Sequence, residues 1–130
     1  MKFLLILILS FSLAGCGSDS ADSKPTISEV TTFAVTNSGA TDYIFNGVND
    51  PNFTFKRGTT YTFNLNAAGH PFYIKSIQGA TTADAFNDGV TGNGTSVGTI
   101  TFVVPLTAPN TLFYNCSFHS TMTGIITITN

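Results

Sequence analysis

Residues 59–76 read Thr-Thr-Tyr-Thr-Phe-Asn-Leu-Asn-Ala-Ala-Gly-His-Pro-Phe-Tyr-Ile-Lys-Ser. In the first half apolar and polar residues alternate, which puts Tyr61, Phe63 and Leu65 on one face of an extended strand. The second half reads as another strand, on which His70 shares parity with Phe72 and Ile74 and so continues an apolar face at the strand end. Nothing after residue 25 sustains the three-and-four spacing of an amphipathic helix, and 21 threonines favour strands over helices.

Working outward, strands are expected near 28–36, 42–46, 52–56, 59–67, 70–76, 98–104, 110–116 and 123–129. Ile100, Phe102 and Val104 form a second inward face, and Cys116 shares parity with Leu112 and Tyr114. His70 and Cys116 thus both point into one end of the domain. Asn46-Gly47 and Asn93-Gly94 supply turn chemistry, while Pro51, Pro105 and Pro109 sit where runs start or stop. Residues 77–97 carry four glycines without alternation and read as a long excursion, with one short helix expected around Thr82 to Phe86. No internal repeat occurs. The fold class is all-β, a Greek-key sandwich or barrel of about eight strands.

The chain has 130 residues, of which 42% are hydrophobic and 9% charged, so disorder is excluded and there is room for one core. Five basic against seven acidic residues leave no cationic stripe, and nucleic acid is not an expected partner. Residues 1–16 combine Lys2, an apolar run of signal-peptide length broken by Ser10 and Ser12, and small residues at its end. Leu13-Ala14-Gly15-Cys16 resembles the lipobox of bacterial lipoproteins, whose cysteine is lipidated and becomes the mature N-terminus. The expected organisation is a leader over 1–15, lipidated Cys16 with a small polar tether over 16–25, and one domain over 26–130.

Chemically capable side chains are scarce. A Ser-His-Asp hydrolase lacks its Gly-x-Ser-x-Gly elbow, and multi-metal catalysis lacks the histidines it would need. Apart from Met1 and Cys16, every Cys, His and Met is His70, Cys116, His119 or Met122. Singly, each has an ordinary structural explanation as a capping polar group or a small core residue. Together, as Cys116-x2-His119-x2-Met122 after a strand with one distant His leading another, they are the donor set of a mononuclear electron-transfer copper site. Two imidazoles and a thiolate form the plane, and a thioether is the weak axial donor. Structural zinc fits less well, because it rarely recruits Met and a second Cys or third His is missing. A disulfide to Cys16 is disfavoured if that residue carries lipid.

Gly69-His70-Pro71-Phe72 and the run from Phe113 through Cys116, His119 and Met122 to Gly124 resemble the two ligand segments of cupredoxins, the plastocyanin- and azurin-like blue copper proteins. The resemblance spans roughly residues 28–130. It implies an eight-stranded Greek-key sandwich with Cu(I)/Cu(II) at one end, held by His70, Cys116, His119 and Met122. It also implies that His119 passes the electron at the surface, with Phe118 and Pro71 as apolar docking surface. Two departures stand out. The x2 spacing between His119 and Met122 looks more like the copper loop of cytochrome oxidase subunit II, without its second Cys. Pro71 stands where many cupredoxins carry an Asn that ties the ligand loops together.

The expected function is therefore a type 1 copper one-electron carrier, not an enzyme, tethered by lipid in the cell envelope on the periplasmic or extracellular face. It would be a monomer meeting a transient redox partner such as a cytochrome or oxidase. The alternatives are an envelope copper-holding or delivery protein and a copper-free β-sandwich lipoprotein.

Overall fold

The structure, a computed structural model, describes residues 24–130. The expectations for the leader, Cys16 and the tether as far as Ser23 lie outside the described residues. The strands are β1 (Thr26–Ile27), β2 (Thr32–Ser38), β3 (Asp42–Phe45), β4 (Val48–Asn49), β5 (Asn52–Lys56), β6 (Thr60–Asn66), β7 (Phe72–Lys75), β8 (Val90–Thr91), β9 (Val97–Val103), β10 (Thr111–Cys116) and β11 (Thr123–Thr129). Eight of the eleven answer to expected runs. The other three, β1, β4 and β8, have two residues each and are too short to carry an alternation signal.

Two mixed sheets face each other, ordered β1-β5-β11-β10-β7 and β4-β3-β2-β6-β9-β8. The period-two pattern decides what lies between them. Phe33, Phe45, Phe63 and Phe102 from one sheet meet Phe53, Phe55, Phe72, Leu112, Tyr114 and Ile126 from the other, and all are buried. Tyr61, Leu65, Ile100 and Val104 are buried as their parity requires. The core is mainly aromatic, with rings in edge and stacked pairs such as Phe45–Tyr114 at 5.0 Å and Phe72–Tyr114 at 5.5 Å and 12°. Such pairs add about 0.5–1.5 kcal/mol each beyond the burial of area.

Between β3 and β4 the Asn46-Gly47 turn has φ of 48° and 88°. Two successive positive values define the type I′ hairpin that Asn-Gly favours. Asn46 also accepts the Ala34 amide at 2.8 Å and donates to the Thr32 carbonyl at 3.2 Å, so the turn is stitched to β2.

The helix expected over 82–86 does not form. Asp84 has φ of 61°, which breaks a right-handed helix, and Ala85 bridges to Lys75. The 76–97 excursion instead covers the outer edge of β7. Ser76 donates to Asp84 O, Phe86 to Ile74 O and Gly94 to Phe72 O, and Phe72 donates to Thr95 O. Asn93 mimics a strand residue, accepting the Ile74 amide at 2.8 Å and donating to its carbonyl at 3.1 Å. An edge that would otherwise expose unpaired backbone groups is thus closed.

Asp50, just after β4, is buried, and its Oδ1 accepts the Tyr43 amide at 2.9 Å. Burial pushes its carboxyl up to about 7, although the Tyr43 amide and the Lys24 charge oppose the rise and Asp42 adds to it. The unfolded chain releases this proton near the ordinary value of 3.8, whereas the fold retains it. The stability contributed by the neutral acid is therefore complete below about pH 4 and is lost as pH rises toward 7. Asp50→Asn keeps the acceptor and suits the positive φ of 38°. It should leave stability near pH 4 almost unchanged and raise it at pH 8 by roughly 1–4 kcal/mol. Denaturant midpoints of both proteins at the two pH values check this, and a variant no more stable than the parent at pH 8 contradicts it.

Candidate metal centre

The site begins with a turn. Ala67 to His70 closes with His70 N donating to Ala67 O at 3.0 Å, and Gly69 at the third position has φ of 81°. This is type II turn geometry, in which a Cβ would be strained. The turn delivers His70 two residues ahead of β7. There its carbonyl accepts the Tyr43 hydroxyl at 2.8 Å, a strut from β3 that fixes the backbone beside the imidazole.

β7 pairs antiparallel with β10, Cys116 facing Phe72 across the ladder. This register puts the end of β10 beside the start of β7, so residues 46 apart in sequence become neighbours. One more backbone bond extends the pairing, from Ser117 N to Pro71 O at 3.1 Å. Pro71 cannot tie the ligand segments with a side chain, but its carbonyl does so. The 117–122 turn then folds back on itself. Cys116 N donates to Met122 O at 2.9 Å and Met122 N to His119 O at 3.3 Å.

Three donors converge. His70 Nδ1 lies 3.1 Å from His119 Nδ1, while Cys116 Sγ lies 3.9 Å from the first and 3.5 Å from the second. The point equidistant from three atoms so spaced is about 2 Å from each, close to the metal–nitrogen and metal–sulfur bond lengths of borderline-soft ions. Cys116 is fully buried and both imidazoles are half-buried. Met122, on the same loop, has no exposed surface.

The electrostatics suit a cation. Burial first, and then the neighbouring His119, lower the pKa of His70, so its neutral, ligating form persists into mild acid. Desolvation and the proximity of Cys116 hold the Tyr43 phenol far above its ordinary range, and it stays a neutral donor. A cysteine sulfur, two imidazoles and a buried thioether on the same turn are the soft and intermediate donors that copper takes in both oxidation states. Among the described residues this is the one grouping of three or more His, Cys, Asp or Glu that brings its donor atoms together.

All four sequence-predicted donors of the domain therefore lie at the expected end of the sandwich. Tyr43, Lys75 and Asn115 were not singled out from sequence. Tyr43 carried a signal, because the 42–46 strand puts it on the inward face with Phe45. Lys75 and Asn115 are buried against parity, and only the loop that covers them explains it.

No protein-family model matches the chain, and comparison with curated proteins yields none that matches. Solved structures do match. Rusticyanin from Thiobacillus ferrooxidans aligns with a TM-score of 0.52 at 20% identity, over 87% of this chain and 86% of that one. A point variant of rusticyanin gives 0.56 at 19% identity, over 82% and 83%. The 2F4 variant of the McoA multicopper oxidase from Aquifex aeolicus gives 0.51 at 14% identity, over 88% of this chain but 30% of the oxidase. At such identities the likeness is one of fold, and rusticyanin is a copper protein. Two facing mixed sheets, the strand order and the match over most of both chains give this chain the cupredoxin fold.

Proposed function

We propose that this chain is a type 1 copper one-electron carrier of the cell envelope, tethered by lipid at Cys16. The observation that carries the reading is the convergence of His70 Nδ1, Cys116 Sγ and His119 Nδ1 within 4.8 Å of one another, beside the turn that ends at buried Met122. Copper would supply the Cu(I)/Cu(II) couple. The chain's residues do the rest. Cys116 would supply a sulfur donor screened from water, and the two imidazoles their Nδ1 atoms. Met122 would supply a thioether as a fourth, weaker donor. The backbone bonds from Cys116 to Met122 and from Ser117 to Pro71 hold these donors in place through the redox cycle, which keeps rearrangement small.

Electron exit falls to His119, the half-buried donor on the outer loop. Phe118 beside it is 68% exposed and, with Pro71, offers an apolar surface to a transient redox partner. Such a partner needs only a small contact. Turnover at a multicopper centre would need more histidines than the two in this sequence.

The protein from residue 17 onward should bind one Cu(II) and develop an intense thiolate-to-copper absorption that Cys116→Ala abolishes. Stoichiometric copper binding unaffected by that change would overturn the site. Met122→Leu should keep the absorption, cost under roughly 1.5 kcal/mol of stability and raise the reduction potential, because losing the thioether disfavours Cu(II). Voltammetry showing an unchanged potential with copper bound removes Met122 from the donor set. For the anchor, Cys16→Ser should move the protein from the membrane to the soluble fraction, since acyl chains are its only expected attachment. A Ser variant that still sediments with membranes refutes the lipobox reading.

A further inference from the structure

The residue before Cys116 faces away from the core between the sheets and is nonetheless completely buried. Asn115 Oδ1 accepts the Gly79 amide at 3.0 Å, and because an amide N–H can only donate, the side-chain oxygen must face Gly79. That leaves Nδ2 toward the ligand turn. It donates to Cys116 O at 3.0 Å and His119 O at 3.2 Å, with Met122 O at 3.4 Å. One amide group therefore gathers the carbonyls of three residues whose side chains are the donors Cys116, His119 and Met122.

Gly79 is itself anchored. Lys75, on β7 and 1% exposed, donates through Nζ to Gly79 O at 2.6 Å and Thr81 O at 2.9 Å, with Thr81 Oγ1 at 3.3 Å. A buried ammonium requires such acceptors, and all three come from residues 79–81. Gln78 adds a bond from Nε2 to Thr123 Oγ1 at 3.0 Å, at the start of β11. Residues 76–81 thus form a strap fastened by a buried cation on one side and by the Asn115 amide on the other.

We propose that Asn115 is a positioning residue of the metal centre. It sets the backbone of the 116–122 turn, and the Lys75-fastened strap sets Asn115. The inference rests on the copper reading for its consequence and on the hydrogen bonds alone for its structure. Without the amide, the peptide groups at 116, 119 and 122 lose a common anchor, and the donors can move apart. Asn is required, because Asp would turn a second oxygen toward three carbonyls and Leu would remove the donor they share, leaving the His119 and Met122 carbonyls only their backbone partners.

The test compares the parent with Asn115→Asp, Asn115→Leu, Lys75→Met and the Lys75→Met/Asn115→Leu double variant. After one equivalent of Cu(II), copper should pass to an excess of chelator about 10–100-fold faster from the Asn115 variants, with altered thiolate-to-copper band intensities. Lys75→Met, which touches no donor, should change both in the same direction by less, and the double variant should be no faster than Asn115→Leu alone. A folded Asn115→Leu with parental release rate and spectrum overturns the proposal, even if its thermal stability falls. Should the Asn115 variants fail to fold, Lys75→Met decides, and parental behaviour there overturns it. If the parent takes up no copper, the functional reading fails separately, and amide exchange in the metal-free protein judges the positioning role. Loss of protection at the Cys116 and Met122 amides in Asn115→Leu supports the proposal, and unchanged protection overturns it.

Discussion

The antiparallel pairing of β7 with β10 is the constraint on which the rest of this molecule depends. It sets Cys116 opposite Phe72 and brings His70, from a turn far earlier in the chain, within 4 Å of the thiol. A slip of one residue would turn Cys116 to the outer face and Asn115 into the core, because side chains alternate with a period of two. The aromatic core protects the register. Phe72 and Tyr114 stack at 5.5 Å across the two strands, and a slip would take both rings out of the core. Metal-site geometry is in this sense a by-product of core packing and backbone pairing.

The tyrosines extend that rigidity outward. Tyr114 sends its hydroxyl to Pro51 O at 2.7 Å, and Tyr43 sends its own to His70 O at 2.8 Å. Each ring belongs to the core and each hydroxyl ends on a loop backbone, so motion of the loop would either break a buried hydrogen bond or displace a packed ring. Gly124 shows how close the fit is. A Cβ there would come within 2.6 Å of the Tyr114 ring and hydroxyl and within 2.5 Å of Pro51 O. Small rearrangement between redox states, which electron transfer rewards, follows from a site whose supports have so few alternatives.

Period two was legible and carried most of the reading. Tyr61, Phe63, Leu65, Ile100, Phe102 and Val104 are inside, His70 and Cys116 lie at the same end, and Asn46-Gly47 makes the type I′ turn its dipeptide favours. What could not be read was whatever depends on an aperiodic segment. Residues 76–97 contain no alternation, so nothing in the sequence said that they would lie along β7, replace a helix with an extended stretch after Asp84, or bury Lys75 and Asn115 from outside. A polar residue on the outward parity of a strand ordinarily faces solvent. Its burial becomes visible only when the covering strap is seen, and the supports of the donors were therefore harder to find than the donors.

The same strap bears on charge. Cys116 is buried among aromatic rings, where unbalanced charge is expensive. A thiolate with a monovalent cation is neutral overall, whereas with a divalent one it carries a net positive charge, so an apolar setting favours the reduced state of a copper pair. Lys75 adds a buried positive charge on the strand that pairs with β10, and its acceptors are uncharged carbonyls and a hydroxyl. Among the described residues its hydrogen-bond acceptors are dipoles and not a carboxylate, so its positive charge adds to the cost of a further positive charge nearby. Core composition and strap act in one direction, toward the lower of the two charge states of a metal held by Cys116.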